Sequence, residues 1–81
     1  MQTKTGDKIT LTTLPIGRDA RVTKVVGTGR IMRRLMEMGV IPGVDVRVVK
    51  MAPFGDPIEV RVRGYSLAMR RSEADGVEVS L

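Results

Sequence analysis

The 81-residue sequence contains no cysteine and no histidine. The absence of thiols excludes disulfide scaffolds, zinc fingers and cysteine nucleophiles, and the absence of imidazole excludes a Ser-His-Asp triad. Carboxylates remain as metal ligands, and they favour hard cations over tight capture of transition metals. We therefore expect no catalytic residue, no cofactor and no metal-ligating set.

Aromatic residues are almost absent, since Phe54 and Tyr65 are the only two. Base stacking needs several exposed rings, and the alternation of its strand predicts that Tyr65 faces inward, so nucleic acid is an unfavoured partner. No apolar run approaches the roughly 20 residues of a membrane helix. Residues 1–8 are polar and lack a signal-peptide core, so we expect a flexible tail there, a single domain over 9–81 and a cytoplasmic location.

Positive charge is in excess, with 14 Lys and Arg against nine Asp and Glu, a formal net charge of +5. Such an excess favours acidic partners, whether nucleic acid, an anionic membrane surface or an acidic protein. Net charge alone does not choose among these three.

Apolar and polar residues alternate in several short segments, which is typical of half-buried strands. Glycine, proline and aspartate separate them, so the pattern predicts a mainly β protein, a small antiparallel barrel. The last segment is expected to be an edge strand, available for pairing with another copy. The predicted strands cover residues 20–26, 44–49, 58–63, 65–70 and 77–81, with a hairpin loop over 52–57 and one helical turn over 72–75.

One segment, residues 28–38, has helical spacing instead, with Ile31, Leu35 and Met38 at i, i+4 and i+7. Thr28 is a suitable N-cap, and Gly39 suits the left-handed position that follows a helix. A short α-helix is therefore predicted between the first two barrel strands.

Two groups of side chains are candidates for partner contacts. Arg30, Arg33 and Arg34 are predicted on the helix side opposite its apolar stripe, either as a solvated face or as a dock for an acidic partner. Met36 is either core or an exposed, adaptable contact. At the hairpin tip Phe54 is either an exposed contact or a cap that folds back over the end of the barrel.

Four segments resemble the FeoA family, small cytosolic proteins of the ferrous iron transport system. They occur in one order: LPIG at 14–17, RLMEMGVIPG at 34–43, APFGDPI at 52–58 and RGYSLAMR at 63–70, followed by Glu73 and Ala74. The resemblance runs from about residue 11 to residue 79. It implies an SH3-like five-stranded antiparallel barrel with one short helix, a fold also found as a C-terminal domain in metal-dependent repressors.

The resemblance further implies a non-enzymatic accessory role in iron uptake, by binding the cytoplasmic side of the FeoB membrane transporter. Transition-metal binding is associated with the family, yet without imidazole we expect no high-affinity iron site in the monomer. When bound, the protein would lie at the inner face of the membrane and contact it only indirectly. The alternatives are a small basic barrel that binds nucleic acid and a self-associating regulatory module. The residues predicted to bind the partner are Arg30, Arg33, Arg34, Met36, Pro53, Phe54 and Asp56.

Overall fold

Residues 9–81 are described by the computed structural model, and the predicted tail at 1–8 lies outside them. The described chain contains six strands and two helices. These are β1 (Ile9–Thr10), β2 (Asp19–Val25), α1 (Gly29–Glu37), β3 (Asp45–Met51), β4 (Ile58–Val62), β5 (Tyr65–Met69), α2 (Arg71–Ala74) and β6 (Val77–Ser80).

The strands form one antiparallel sheet in the order β1-β6-β2-β3-β4-β5. The mainly β prediction, with a helix between the first two long strands, is confirmed. The sheet has six strands, one more than predicted, because Ile9–Thr10 pairs with β6. Those two residues are too short a segment to show an alternating pattern.

Two register shifts bend the sheet. One lies in β2 between Val22 and Lys24, opposite β6, and the other in β3 between Val48 and Lys50, opposite β4. A bulge of this kind increases strand twist and bends the strand, which lets a small sheet curl around one core.

The core lies on one face of the sheet, where the alternating valines and isoleucines are buried as predicted. Leu35 of α1 is fully buried against this face, while Ile31 and Met38 are partly buried beside it. Because a nine-residue helix is marginal by itself, this packing stabilises α1. The fully buried large side chains are Leu11, Leu14, Leu35, Ile58, Met69, Val22, Val40, Val48, Val60, Val62 and Val77.

Both ends of α1 form as predicted. The Thr28 hydroxyl oxygen accepts the backbone N–H of Ile31 at 3.3 Å, which satisfies one free donor of the first turn. Gly39 follows the last turn with φ +89°, a left-handed conformation that glycine adopts without steric cost. The N–H of Val40 then donates to the Leu35 carbonyl at 2.9 Å and closes the helix.

Two predictions near strand ends are wrong, and the one for Tyr65 holds for orientation but not for burial. Tyr65 pairs with Val62 and so shares its inward face, yet it is 45% exposed because β5 is an edge strand with no further neighbour in the described sheet. Leu81 is 62% exposed, since β6 ends at Ser80. The last strand, β6, is not an edge: it lies between β1 and β2.

Candidate partner-binding surface

The hairpin loop, residues 52–57, connects β3 to β4 and presents Phe54 to solvent. Its side chain is 96% exposed, so the interpretation in which it caps the barrel is wrong. Pro53 beside it is also exposed. Two backbone hydrogen bonds hold the loop, from Gly55 N–H to the Ala52 carbonyl at 2.7 Å and from Ala52 N–H to the Pro57 carbonyl at 3.0 Å. The phenyl ring therefore projects from a defined turn.

Asp56, at the other end of this loop, connects it to α2. Its Oδ1 accepts the backbone N–H of Arg71 at 3.1 Å. Asp56 was predicted only as a partner contact, but it also satisfies a free donor at the start of α2, which gives it a structural role. The attachment restrains the loop relative to α2.

Glu73 on α2 is a buried carboxylate, only 4% exposed. Its Oε1 accepts the backbone N–H of Arg70 at 2.9 Å, and its Oε2 lies 3.5 Å from Nε of Arg34 on α1. Burying a charge costs free energy unless it is paired and hydrogen-bonded, and both conditions are met here. The short helix α2 thus connects the hairpin loop to α1, a role that sequence reasoning missed. A signal was present, since a glutamate three residues after a helix cap is typical of capping.

The prediction that all three arginines of α1 lie opposite its apolar stripe is wrong. Positions 30 and 34 are about 40° apart around a helix, whereas positions 33 and 34 are about 100° apart. Arg30 and Arg34 accordingly border a concavity shared with α2, which Ile31 also lines, so they are not opposite the apolar stripe. Arg33 lies on the other side, next to Met36.

Met36 is 57% exposed, so it is not a core residue and its side chain is accessible at the surface. Together with Met32 it borders two adjoining apolar concavities of about 490 and 530 Å³. The sequence did not reveal this groove because its walls come from distant positions, among them Val25, Ile41 and Pro42.

The outward face of the sheet carries paired charges. Arg47 and Arg61 are cross-strand neighbours on this face. Arg47 is held by Asp19, whose two carboxylate oxygens accept Nε at 2.7 Å and Nη2 at 2.9 Å. These hydrogen bonds lower the pKa of Asp19 and raise the pKa of Arg47.

Neither a metal centre nor a membrane-spanning helix is found in the part of the chain that the structure describes. Over residues 9–81, no three acidic side chains lie together in a way that would hold a metal ion. Neither α1 nor α2 is long and apolar enough to cross a bilayer.

Known proteins share this small barrel with an exposed helix and loop. A family model described as the FeoA domain matches residues 9–81. The chain belongs to the FeoA family. The FeoA family is associated with ferrous iron transport, and the SH3-like fold implied by the sequence resemblance is confirmed.

Relatives of known structure superpose closely. The FeoA protein of Chlorobium tepidum is 42% identical with a TM-score of 0.84, over 90% of this chain and 70% of that one. FeoA of Stenotrophomonas maltophilia, a prokaryotic SH3 domain protein solved in complex with zinc, is 38% identical with a TM-score of 0.77, over 89% of each chain.

A curated relative joins a FeoA domain to a transporter. It is the Fe(2+) transport protein A/Fe(2+) transporter FeoB fusion protein of Porphyromonas gingivalis, 37% identical over 71 residues. The match covers 88% of this chain and 8% of the fusion protein. The chain is thus similar to one small part of that relative.

Proposed function

We propose that this FeoA-family protein is a non-enzymatic accessory protein of ferrous iron uptake that binds the cytosolic region of a FeoB-type transporter. The observation that carries the proposal is the fusion in Porphyromonas gingivalis, where one chain contains both components. Domains fused in one protein often correspond to separate chains that associate elsewhere. Such binding places the protein in the cytoplasm, at the inner face of the membrane.

The contact surface in this proposal consists of α1 and the hairpin loop. Phe54 offers a large apolar side chain that is almost fully exposed, and Met36 offers a flexible one above an apolar groove. A few aromatic and apolar anchors commonly supply most of the binding free energy of an interface. The neighbouring arginines add positive charge, which raises the association rate with an acidic partner.

Calorimetric titration of the protein into the soluble cytosolic domain of the FeoB-type transporter from the same genome tests this proposal. We expect saturable binding that weakens with salt. The change Phe54→Ala should weaken it by about 1–3 kcal/mol, because an exposed anchor is lost. Its melting temperature should stay within about 2 °C of the original, since a side chain with 96% exposure contributes little to the core.

A matched control is Leu81→Ala, which also removes an exposed large apolar side chain, 62% exposed, outside the hairpin loop. This variant should bind normally. Absence of saturable binding by the folded, unaltered chain at any salt concentration would contradict the proposal. Equal binding by the original protein and Phe54→Ala would remove the loop from the contact surface.

A further inference from the structure

Three arginines line one concavity of about 300 Å³, here called the arginine concavity. Two of them come from α1 and the third precedes α2, so the site exists only in the folded chain. Arg70 has no place in the partner-binding set predicted from sequence. The lining residues are Arg30, Ile31, Arg34, Arg70, Ser72 and Glu73.

The charges in the arginine concavity are unbalanced. Its lining contains three arginines and one acidic residue, Glu73, so three positive charges minus one negative charge leave +2. Both oxygens of Glu73 are already engaged, one by the Arg70 backbone N–H and the other by the Arg34 side chain. Over residues 9–81, the side chains of Arg30 and Arg70 have no acidic partner within ion-pair distance. A cleft lined by one sign of charge attracts ligands of the opposite sign.

The available donors suit an oxyanion. Phosphate sites commonly use backbone N–H groups at a helix start in addition to side chains. At the start of α2 two of those groups are occupied, because Arg70 N–H donates to Glu73 and Arg71 N–H donates to Asp56, whereas the N–H of Ser72 has no acceptor among residues 9–81. The guanidinium groups are the charged donors, and their planar fork pairs with carboxylates and phosphates alike.

The surroundings favour a side-chain carboxylate. A carboxylate, that of Glu73, already lies against Arg34 in this concavity. Ile31 adds an apolar wall against which the methylene groups of an aspartate or glutamate can pack. Neither Phe54 nor Tyr65 lines the concavity, so it has no ring for stacking a nucleic acid base.

We propose that the arginine concavity binds an acidic segment of a protein partner, with two carboxylates offsetting its charge of +2. The inference rests on the proposed function, in which that partner is the cytosolic domain of the transporter. It adds Arg70 to the contact surface and assigns Arg30 and Arg34 to carboxylate recognition.

The test is the same titration with the full chain carrying Arg30→Ala, Arg70→Ala or both. Each single variant should bind about tenfold more weakly at low salt, and the pair about 50-fold, with a flatter salt dependence. All should keep their melting temperature, because neither side chain has an ion-pair partner in the described chain. Arg61→Ala is the matched control: it removes one exposed arginine from the outward face of β4 and should bind within about twofold of the original.

The outcomes separate the inference from the proposed function. If the unaltered chain binds and both arginine variants behave like Arg61→Ala, the inference is overturned while the proposed function stands. If the unaltered chain does not bind, the proposed function fails and the inference fails with it. Saturable binding of inorganic phosphate or a short oligonucleotide that Arg70→Ala abolishes, without an effect of that change on the transporter domain, would overturn the carboxylate assignment.

Discussion

The buried carboxylate of Glu73 should make a measurable contribution to stability, because it joins α2 to α1. In Glu73→Ala the backbone N–H of Arg70 loses its acceptor at 2.9 Å, which costs about 1 kcal/mol. Loss of the ion pair to the half-exposed Arg34 adds about 0.5 kcal/mol, and lost burial of a methylene adds about 0.8 kcal/mol. We therefore expect the free energy of unfolding to fall by about 2–3 kcal/mol.

This loss is large for a chain of 81 residues, whose total stability is about 4–12 kcal/mol at 0.05–0.15 kcal/mol per residue. Urea unfolding followed by circular dichroism measures it directly. A thermal scan should show the melting temperature lowered by about 10 °C or more.

Glu73→Gln separates the two contributions. Glutamine keeps an acceptor oxygen for the Arg70 N–H and the same side-chain length, but it removes the negative charge near Arg34, so the loss should be about 0.5 kcal/mol. Glu37→Ala serves as a control, since Glu37 is an exposed acid on α1, and its effect should stay within about 0.5 kcal/mol. A loss below about 1 kcal/mol in Glu73→Ala, or equal losses in the two Glu73 variants, would refute this reasoning.

Two further predictions concern the barrel itself. A Cβ atom at Gly76 would lie 1.9 Å from the carbonyl oxygen of Val26, so Gly76→Ala should lower the free energy of unfolding by about 3 kcal/mol or more. The control is Gly29→Ala: a Cβ atom there has nothing within 4 Å, and the free energy of unfolding should change by less than about 1 kcal/mol. Arg47 lowers the pKa of Asp19 below its ordinary value of 3.8. The stability that this ion pair contributes should therefore be complete above pH 3.8 and should disappear as the pH falls through the lower pKa of the folded state. Urea midpoints of the original protein and Asp19→Asn should therefore converge in acid, and a difference that grows in acid would contradict this assignment.

Local features of the fold were predictable because they depend on neighbouring residues. The alternation of Val44, Val46 and Val48 determined which face of β3 is buried, since side chains alternate along any strand. The Thr28 cap and the Gly39 terminus follow from hydrogen bonding and steric preference within one turn. The family resemblance of four ordered segments added the topology and the association with iron transport.

Exposure at the ends of strands was less predictable, because it depends on which strand lies alongside. Tyr65 continues the pattern of its strand, and only the sheet order shows that β5 has no neighbour to cover the ring. Leu81 likewise continues the alternation, but pairing ends at Ser80. Phe54 could not be assigned from the sequence, since a loop residue has no periodicity that indicates its direction.

The contacts around α2 were decided only by tertiary structure. By itself the sequence determined that a helical turn and a basic helix exist, that metal-binding and catalytic side chains are scarce, and that the chain forms a small β fold. Arg30, Arg34 and Arg70 line one concavity only because the folded chain brings residues 36 or more positions apart close together. Charged side chains on a surface carry no periodic signal of their partners, so only the folded arrangement reveals which charges are neutralised and which remain available to a ligand.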